Sequence, residues 1–321
     1  MHGLDVGRAG IGHEQRSWMR EMAQDRETDF LRELYQEWSS RMLANPDMSI
    51  AELRSMFDEW GKPAREPEDV TYKSDEVGGV PGIWALPQEA AVSRVVLYTH
   101  GGGFAVGSAD SHRKLAGHLA KALGLSAFIV DYRRAPEFPF PAQLEDTVSA
   151  YLGLVRSGVE PKNITTAGDS AGGNLAIATV LKLRQLGQAT PGSVIAISPW
   201  LDMALRGETL DVNSETDALV ARPILQGMVS MFLGDTTNPL NPLANPLESS
   251  FQGFPPLYIS AGGAEALLSD AVSLYEKVLH DNAPAVLSVV PDMQHVFPAL
   301  AGRSIVADRE LIKIAEWYRA L

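Results

Sequence analysis

Over residues 14–60 apolar side chains recur every three or four positions between charged ones. Trp18, Met22, Phe30, Leu31, Leu34, Tyr35 and Trp38 share one stripe, which is the period of an amphipathic helix packed by one face. A second helix is predicted to start at Ser49, because Ser49 and Glu52 have the spacing of a reciprocal capping box. Leu53, Met56, Phe57 and Trp60 supply its apolar side. Such a stripe reads first as a packing face, with a share of it free to line a substrate entrance.

The period changes near residue 68. Residues 70–73 and 82–86 read as two strands with Gly78-Gly79 in the turn between them. Beyond them, short apolar runs predict strands at 94–99, 126–131, 164–167, 193–198, 257–261 and 285–290. Helical periods fall between, near 111–123, 142–156, 171–187, 269–282 and 304–320. Apolar strands that alternate with helices predict an α/β fold, a mostly parallel twisted sheet of eight strands with helices on both faces. Ligands of such sheets bind beyond the carboxyl ends of the strands.

One interval breaks the alternation. Between Pro199 and Pro256 the chain is rich in Asn, Pro, Gly and Asp, with one helical stretch at 224–233, so it reads as an insertion over the strand ends. The predicted organisation is an N-terminal helical cap segment (1–60), a first part of the core (61–199), a cap insertion (200–250) and a second part of the core (251–321).

Composition narrows the function classes. With 45% hydrophobic residues over 321 positions the chain can bury a large core. It has no cysteine, which excludes disulfides, thiolate metal sites and a cysteine nucleophile. A formal charge of −13 repels phosphate backbones and anionic lipid, so neither nucleic acid nor a membrane surface is an expected partner. No segment approaches the ~20 apolar residues of a membrane span. The first twenty residues lack the apolar stretch of a signal peptide. The expected setting is cytoplasmic.

Against this background three motifs carry chemistry. Gly168-Asp-Ser-Ala-Gly172 follows an apolar strand and precedes a helical run, the context of a strained turn that exposes Ser170 as a nucleophile. Asp169 inside the motif is expected to be structural. His100-Gly-Gly-Gly-Phe104 follows another strand, and consecutive glycines let the backbone aim N–H groups at a developing oxyanion, joined by the N–H of Ala171. A phosphate-binding loop fits less well, since Gly101, Gly103 and Gly107 miss the dinucleotide spacing and no G-K-[ST] follows. His100 is expected to fix the loop.

A serine needs a histidine to take its proton, and that histidine needs a carboxylate. His295 lies beyond the last predicted strand, where the fold requires the base, whereas His280 falls on a helix. Glu265, in the loop after strand 257–261, is the expected acid; Asp270 and Asp292 are the alternatives. Phe104, Trp200, Leu201 and Phe297 are expected in the pocket, with Val106, Trp18, Trp38 and Met228 as further candidates. No metal site is expected, because H-E-x-x-H is absent and His112 and His118 are wrongly spaced for one helical face.

Together these motifs resemble the hormone-sensitive-lipase family of bacterial esterases, from about residue 68 to the C-terminus. Asp131-Tyr-Arg-Arg-Ala-Pro-Glu137 and Ser198-Pro-Trp200 are similar to further family elements. The resemblance implies Gly102, Gly103 and Ala171 as oxyanion donors, a helical cap built from the N-terminus and the 200–235 region, and a homodimer paired through the last strand. It departs at the acid, where many members have Asp-Pro-Leu and this chain has Glu265-Ala-Leu267. The implied activity is cofactor-free hydrolysis of a small uncharged ester of short to medium chain, with a lactone as the alternative substrate. A non-catalytic receptor on the same fold is a remote alternative, since such receptors tend to lack the histidine that His295 supplies. An amidase or peptidase would need the same residues.

Overall fold

The protein is described here by a computed structural model over residues 27–321. Trp18, Met22 and the start of the first expected helix lie outside the described residues. Helix α1 (Glu27–Ala44) buries Leu31, Leu34, Tyr35 and Trp38. The chain turns at Asn45-Pro46, and α2 (Ile50–Phe57) opens on the expected capping box. There Ser49 N–H donates to Glu52 at 2.8 Å and Ser49 Oγ accepts from Glu52 N–H at 3.3 Å. One turn of 3-10 helix, Asp58–Gly61, then carries Trp60.

Tyr35, Trp38, Phe57 and Trp60 meet in one aromatic cluster, with ring centroids 4.9–5.8 Å apart. Each buried ring of this size contributes about 3 kcal/mol relative to an exposed one. That burial is what pins the two N-terminal helices to the body.

Strands β1 (Val70–Val77) and β2 (Val80–Pro87) form an antiparallel hairpin about Gly78-Gly79. Then follow β3 (Ala91–Thr99), α3 (Ala109–Leu123), β4 (Leu125–Val130), α4 (Ala142–Arg156), β5 (Ile164–Asp169), α5 (Ala171–Gln185) and β6 (Ser193–Ile197). The inserted region holds α6 (Thr209–Val212) and α7 (Arg222–Leu233). The chain closes with β7 (Leu257–Gly262), α8 (Leu268–His280), β8 (Ala285–Val290) and α9 (Ile305–Arg319).

The sheet has eight strands in the order β1-β2-β4-β3-β5-β6-β7-β8. All pairs from β4 to β8 are parallel, and only β1 and β2 run against their neighbours. Helices α3 and α9 pack together on one face, and α4, α5 and α8 cover the other. Strands β5, β6 and β7 are buried along their whole length, which is why their sequences read as apolar runs rather than alternations. The carboxyl ends of β3, β5, β7 and β8 lead into the loops of His100, Ser170, Glu265 and His295. The expected α/β fold and its elements are present, with boundaries differing by a few residues.

Candidate active site

Ser170 occupies the turn between β5 and α5 at φ +51° and ψ −120°. This left-handed backbone is costly for a residue with a side chain, and it persists because its surroundings leave no other path. A Cβ on Gly172 would overlap the carbonyl oxygens of Thr99 and His100, and one on Gly168 would overlap the Gly172 backbone. Ser170 N–H is held by Ile197 O at 2.9 Å, so β6 braces the turn from the other side. The turn places Ser170 at the N-terminus of α5, where the backbone dipole favours negative charge.

The loop after β3 folds back over this turn. Gly102 and Gly103 have φ of +108° and +58°, and Gly102 O accepts the N–H groups of Ala105 and Val106 at 3.1 and 2.9 Å. Among the described residues, the N–H groups of Gly102 and Gly103 themselves meet no acceptor. Ala171 N–H stands in the first turn of α5, where no intrahelical acceptor exists. Three backbone donors therefore border Ser170.

His100 is buried, stacks on Tyr132 at 4.1 Å and donates from Nδ1 to Gly101 O at 2.7 Å. Burial, with the neighbouring His112, pulls its pKa down to about 3, so it is a neutral brace of the loop. Asp169 accepts from Tyr98 Oη at 2.6 Å and lies 3.4 Å from His112 Nε2. Burial pushes this carboxyl up, but His112 and Tyr98 outweigh it and hold it below the usual range.

On the far side, His295 Nδ1 lies 3.5 Å from Glu265 Oε2, an ion-pair separation slightly longer than a good hydrogen bond. Burial lowers the imidazole pKa, but the Glu265 carboxylate, aided by Asp217 and Asp169, raises it above the ordinary value. Glu265 Oε2 also accepts from Ser198 Oγ at 2.6 Å, and that oxygen accepts Val296 N–H at 3.0 Å. Ser198 thus ties the Glu265 loop to the His295 loop. Tyr35 Oη donates to His295 O at 2.9 Å, so helix α1 holds the same loop. The sequence marked Tyr35 only as part of an apolar stripe and Ser198 only as part of a family element; the contact each makes across the fold could not be read from it.

Of the alternative carboxylates, Asp270 is turned away from His295. It accepts from Leu201 and Asp202 N–H at 2.7 and 2.9 Å, and burial pushes its pKa up to about 7. Asp292 is exposed. His280 ends α8, as the helical pattern implied.

Ser170, His295, Gly102 and Gly103 open onto one narrow cleft. The expected pocket residues fall in different places. Trp200 lines the cleft, but Phe104, Leu201 and Phe297 belong to the buried core. Phe104 stacks on Phe232 at 3.6 Å; an apolar residue beside a catalytic motif is as readily drawn into the core as into the pocket. Of the further candidates, Val106 and Met228 line the cleft, Trp38 is core, and Trp18 lies outside the described residues. The missed lining comes from Phe57 and Trp60 beside α2 and from Leu219, Val220 and Leu225 of the inserted region. Only the stripe of α2 offered a hint of this in the sequence. Among the described residues no cluster of three or more His, Cys, Asp or Glu could hold a metal ion.

Comparison with known proteins bears on this arrangement. Residues 96–299 match the family profile described as alpha/beta hydrolase fold. An acetyl-hydrolase of Streptomyces hygroscopicus is 36% identical over 272 residues, covering 84% of this chain and 89% of that protein. An esterase of Acinetobacter venetianus is 31% identical over 269 residues, covering 84% and 88%. The crystal structure of an esterase from the bacterial hormone-sensitive lipase family superposes with a TM-score of 0.87 at 35% identity, covering 92% of this chain and 97% of that one.

Proposed function

This chain belongs to the α/β-hydrolase family, on its hormone-sensitive-lipase esterase branch, and from that premise we propose that it is a serine carboxylesterase acting through Ser170. One observation carries the assignment of residues. Ser170, on a strained turn among three backbone N–H donors, shares a cleft with a histidine whose other face meets a buried carboxylate.

In this reading Ser170 Oγ attacks the ester carbonyl as His295 takes its proton through Nε2. Glu265 orients the imidazole and stabilises its positive form. Gly102, Gly103 and Ala171 receive the oxyanion; each such donor contributes about 3–4 kcal/mol to the transition state. His295 then protonates the leaving alcohol, and water repeats the sequence on the acyl-enzyme.

The cleft supports a small, uncharged acyl group. Trp60, Val106, Trp200, Leu219 and Met228 make its wall apolar, and its free volume is about 40 Å³, far below the ~300 Å³ of ligand pockets in general. Met228 packs against Gly103, where an added Cβ would lie 2.8 Å from its sulfur. The small volume supports a short acyl group, and acetyl-hydrolase is the name borne by the Streptomyces relative.

Segments 1–60 and 200–250 are assigned as the cap, on the strength of the lining they contribute at residues 57, 60, 219, 220, 225 and 228. Pairing of two copies through β8 is proposed on its edge position and the exposed Val286 and Val289. No helix among the described residues is long and apolar enough to cross a membrane. A cytoplasmic setting is proposed on the cysteine-free composition.

The test is hydrolysis of p-nitrophenyl esters from acetate to dodecanoate by the native protein and by Ser170→Ala. Turnover greatest at the shortest chains and lost by at least ~10⁴-fold in the variant is expected. Equal activity of the two proteins would remove Ser170 from the mechanism.

A further inference from the structure

Glu265 and His295 stand on loops beyond the strand ends, and the inserted region is stitched to both. Asp217, 8% exposed, lies between α6 and α7. Its Oδ1 accepts the N–H groups of Leu219 and Val220 at 2.9 and 2.8 Å, and its Oδ2 accepts that of Ala266 at 2.7 Å. Leu219 and Val220 line the cleft, while Ala266 directly follows Glu265. Flanking contacts repeat the pattern. Asn213 Nδ2 donates to Glu265 O at 2.8 Å, and Thr216 Oγ1 to Ala264 O at 3.0 Å. Gln294, adjacent to His295, donates to Thr216 O and accepts from Ala218 N–H, both at 2.8 Å.

We infer that Asp217 is a positioning residue: one buried carboxylate clasps the cleft wall to the Glu265 loop and so sets the acid–base pair in register with the bound acyl group. The inference rests on the proposed roles of Glu265 and His295. A carboxylate with three N–H donors forms charge-assisted bonds that fix all three backbones at once. An amide in its place keeps one acceptor oxygen and must turn an NH₂ toward one of the donors. The charge of Asp217 also acts on His295, whose imidazole responds to Glu265, Asp217 and Asp169 and whose carbonyl is held by Tyr35.

The test compares native protein, Asp217→Asn, Glu265→Gln and the double variant on p-nitrophenyl acetate, with folding followed by thermal unfolding. Asp217→Asn is expected to lower kcat by about tenfold or more while KM stays within about threefold, the pattern of a group acting on the chemical step. It should also move the acid limb of kcat/KM to lower pH, because losing a negative charge lowers the pKa of the imidazole. In the Glu265→Gln background the same change should cost less than about threefold, because residues acting as a unit are not additive.

Native kcat in Asp217→Asn, or a loss that multiplies in full with an unmoved acid limb, overturns the inference. Full activity in Glu265→Gln would instead remove Glu265 from the triad. If Asp217→Asn does not fold, Asn213→Ala carries the test through its bond to Glu265 O. A drop in kcat that disappears in the Glu265→Gln background supports the clasp, and native kcat overturns it.

Discussion

The two halves of the proposed site are held by different balances of backbone packing and side-chain hydrogen bonds. On the nucleophile side, Ser170 and the Gly101–Gly103 loop are kept in place by backbone pressed against backbone: Gly172 against Thr99 and His100, Gly102 against Val106. On the acid–base side Gly262 is likewise pressed against Met293 and Gln294, and Glu265 and His295 are further held by side chains reaching across the fold, from Tyr35, Ser198, Asn213 and Asp217. Close packing of glycine backbone gives no room for compromise, so that half is rigid by exclusion. Directed hydrogen bonds can be removed one at a time, each contributing about 1 kcal/mol net, so the side-chain share of the acid–base half can be varied stepwise.

That contrast can be broken by experiment. Gly172→Ala should be the most damaging change outside the nucleophile. Its Cβ has no space between Thr99 and His100, and overpacking at a site that cannot relax costs about 3 kcal/mol or more. A large fall in thermal midpoint together with loss of esterase activity is expected; a stable, active variant would show that the turn is softer than its contacts imply.

Glu265→Ala should lower kcat/KM by about 10³-fold or more, and Asp270→Ala by far less, since Asp270 holds the Leu201–Asp202 backbone rather than the imidazole. The reverse ranking would transfer the acid role to Asp270. The pH profile sharpens the point. Because the Glu265 carboxylate raises His295 against the effect of burial, the free base is lost as pH falls through a pKa above the ordinary ~6.5. The acid limb of kcat/KM should therefore lie above that value, and Glu265→Gln should move it down.

Tyr35→Phe should have the smallest effect. It removes one hydrogen bond to His295 O and leaves the aromatic packing in place. A loss of about 1 kcal/mol in stability and a few-fold fall in kcat are expected. A fall as large as that of Glu265→Ala would mean that the acid–base half is as unforgiving as the nucleophile half.

The same contrast explains which parts could be read from the chain alone. The elbow and the glycine loop were legible because their small residues are consecutive in the chain, although the contact that requires Gly172, against Thr99 and His100, joins distant segments. Glu265 and His295 were legible only by their place after strands, and the choice of Glu265 over Asp270 rested on loop position until the contacts showed where each carboxylate points. Phe104, Leu201 and Phe297 could not be told apart from pocket residues, because apolar character serves core and cleft equally.

By itself the sequence determined the layered α/β architecture and the capping box at Ser49, and it marked the serine turn and the donor loop by their runs of small residues. Only the tertiary structure decided which side chains wall the cleft, which carboxylate meets His295, and that Tyr35, Ser198 and Asp217 hold the acid–base loops. Those contacts join residues from 30 to 260 positions apart, and no periodicity or short motif encodes a contact whose two partners meet only after the sheet has formed.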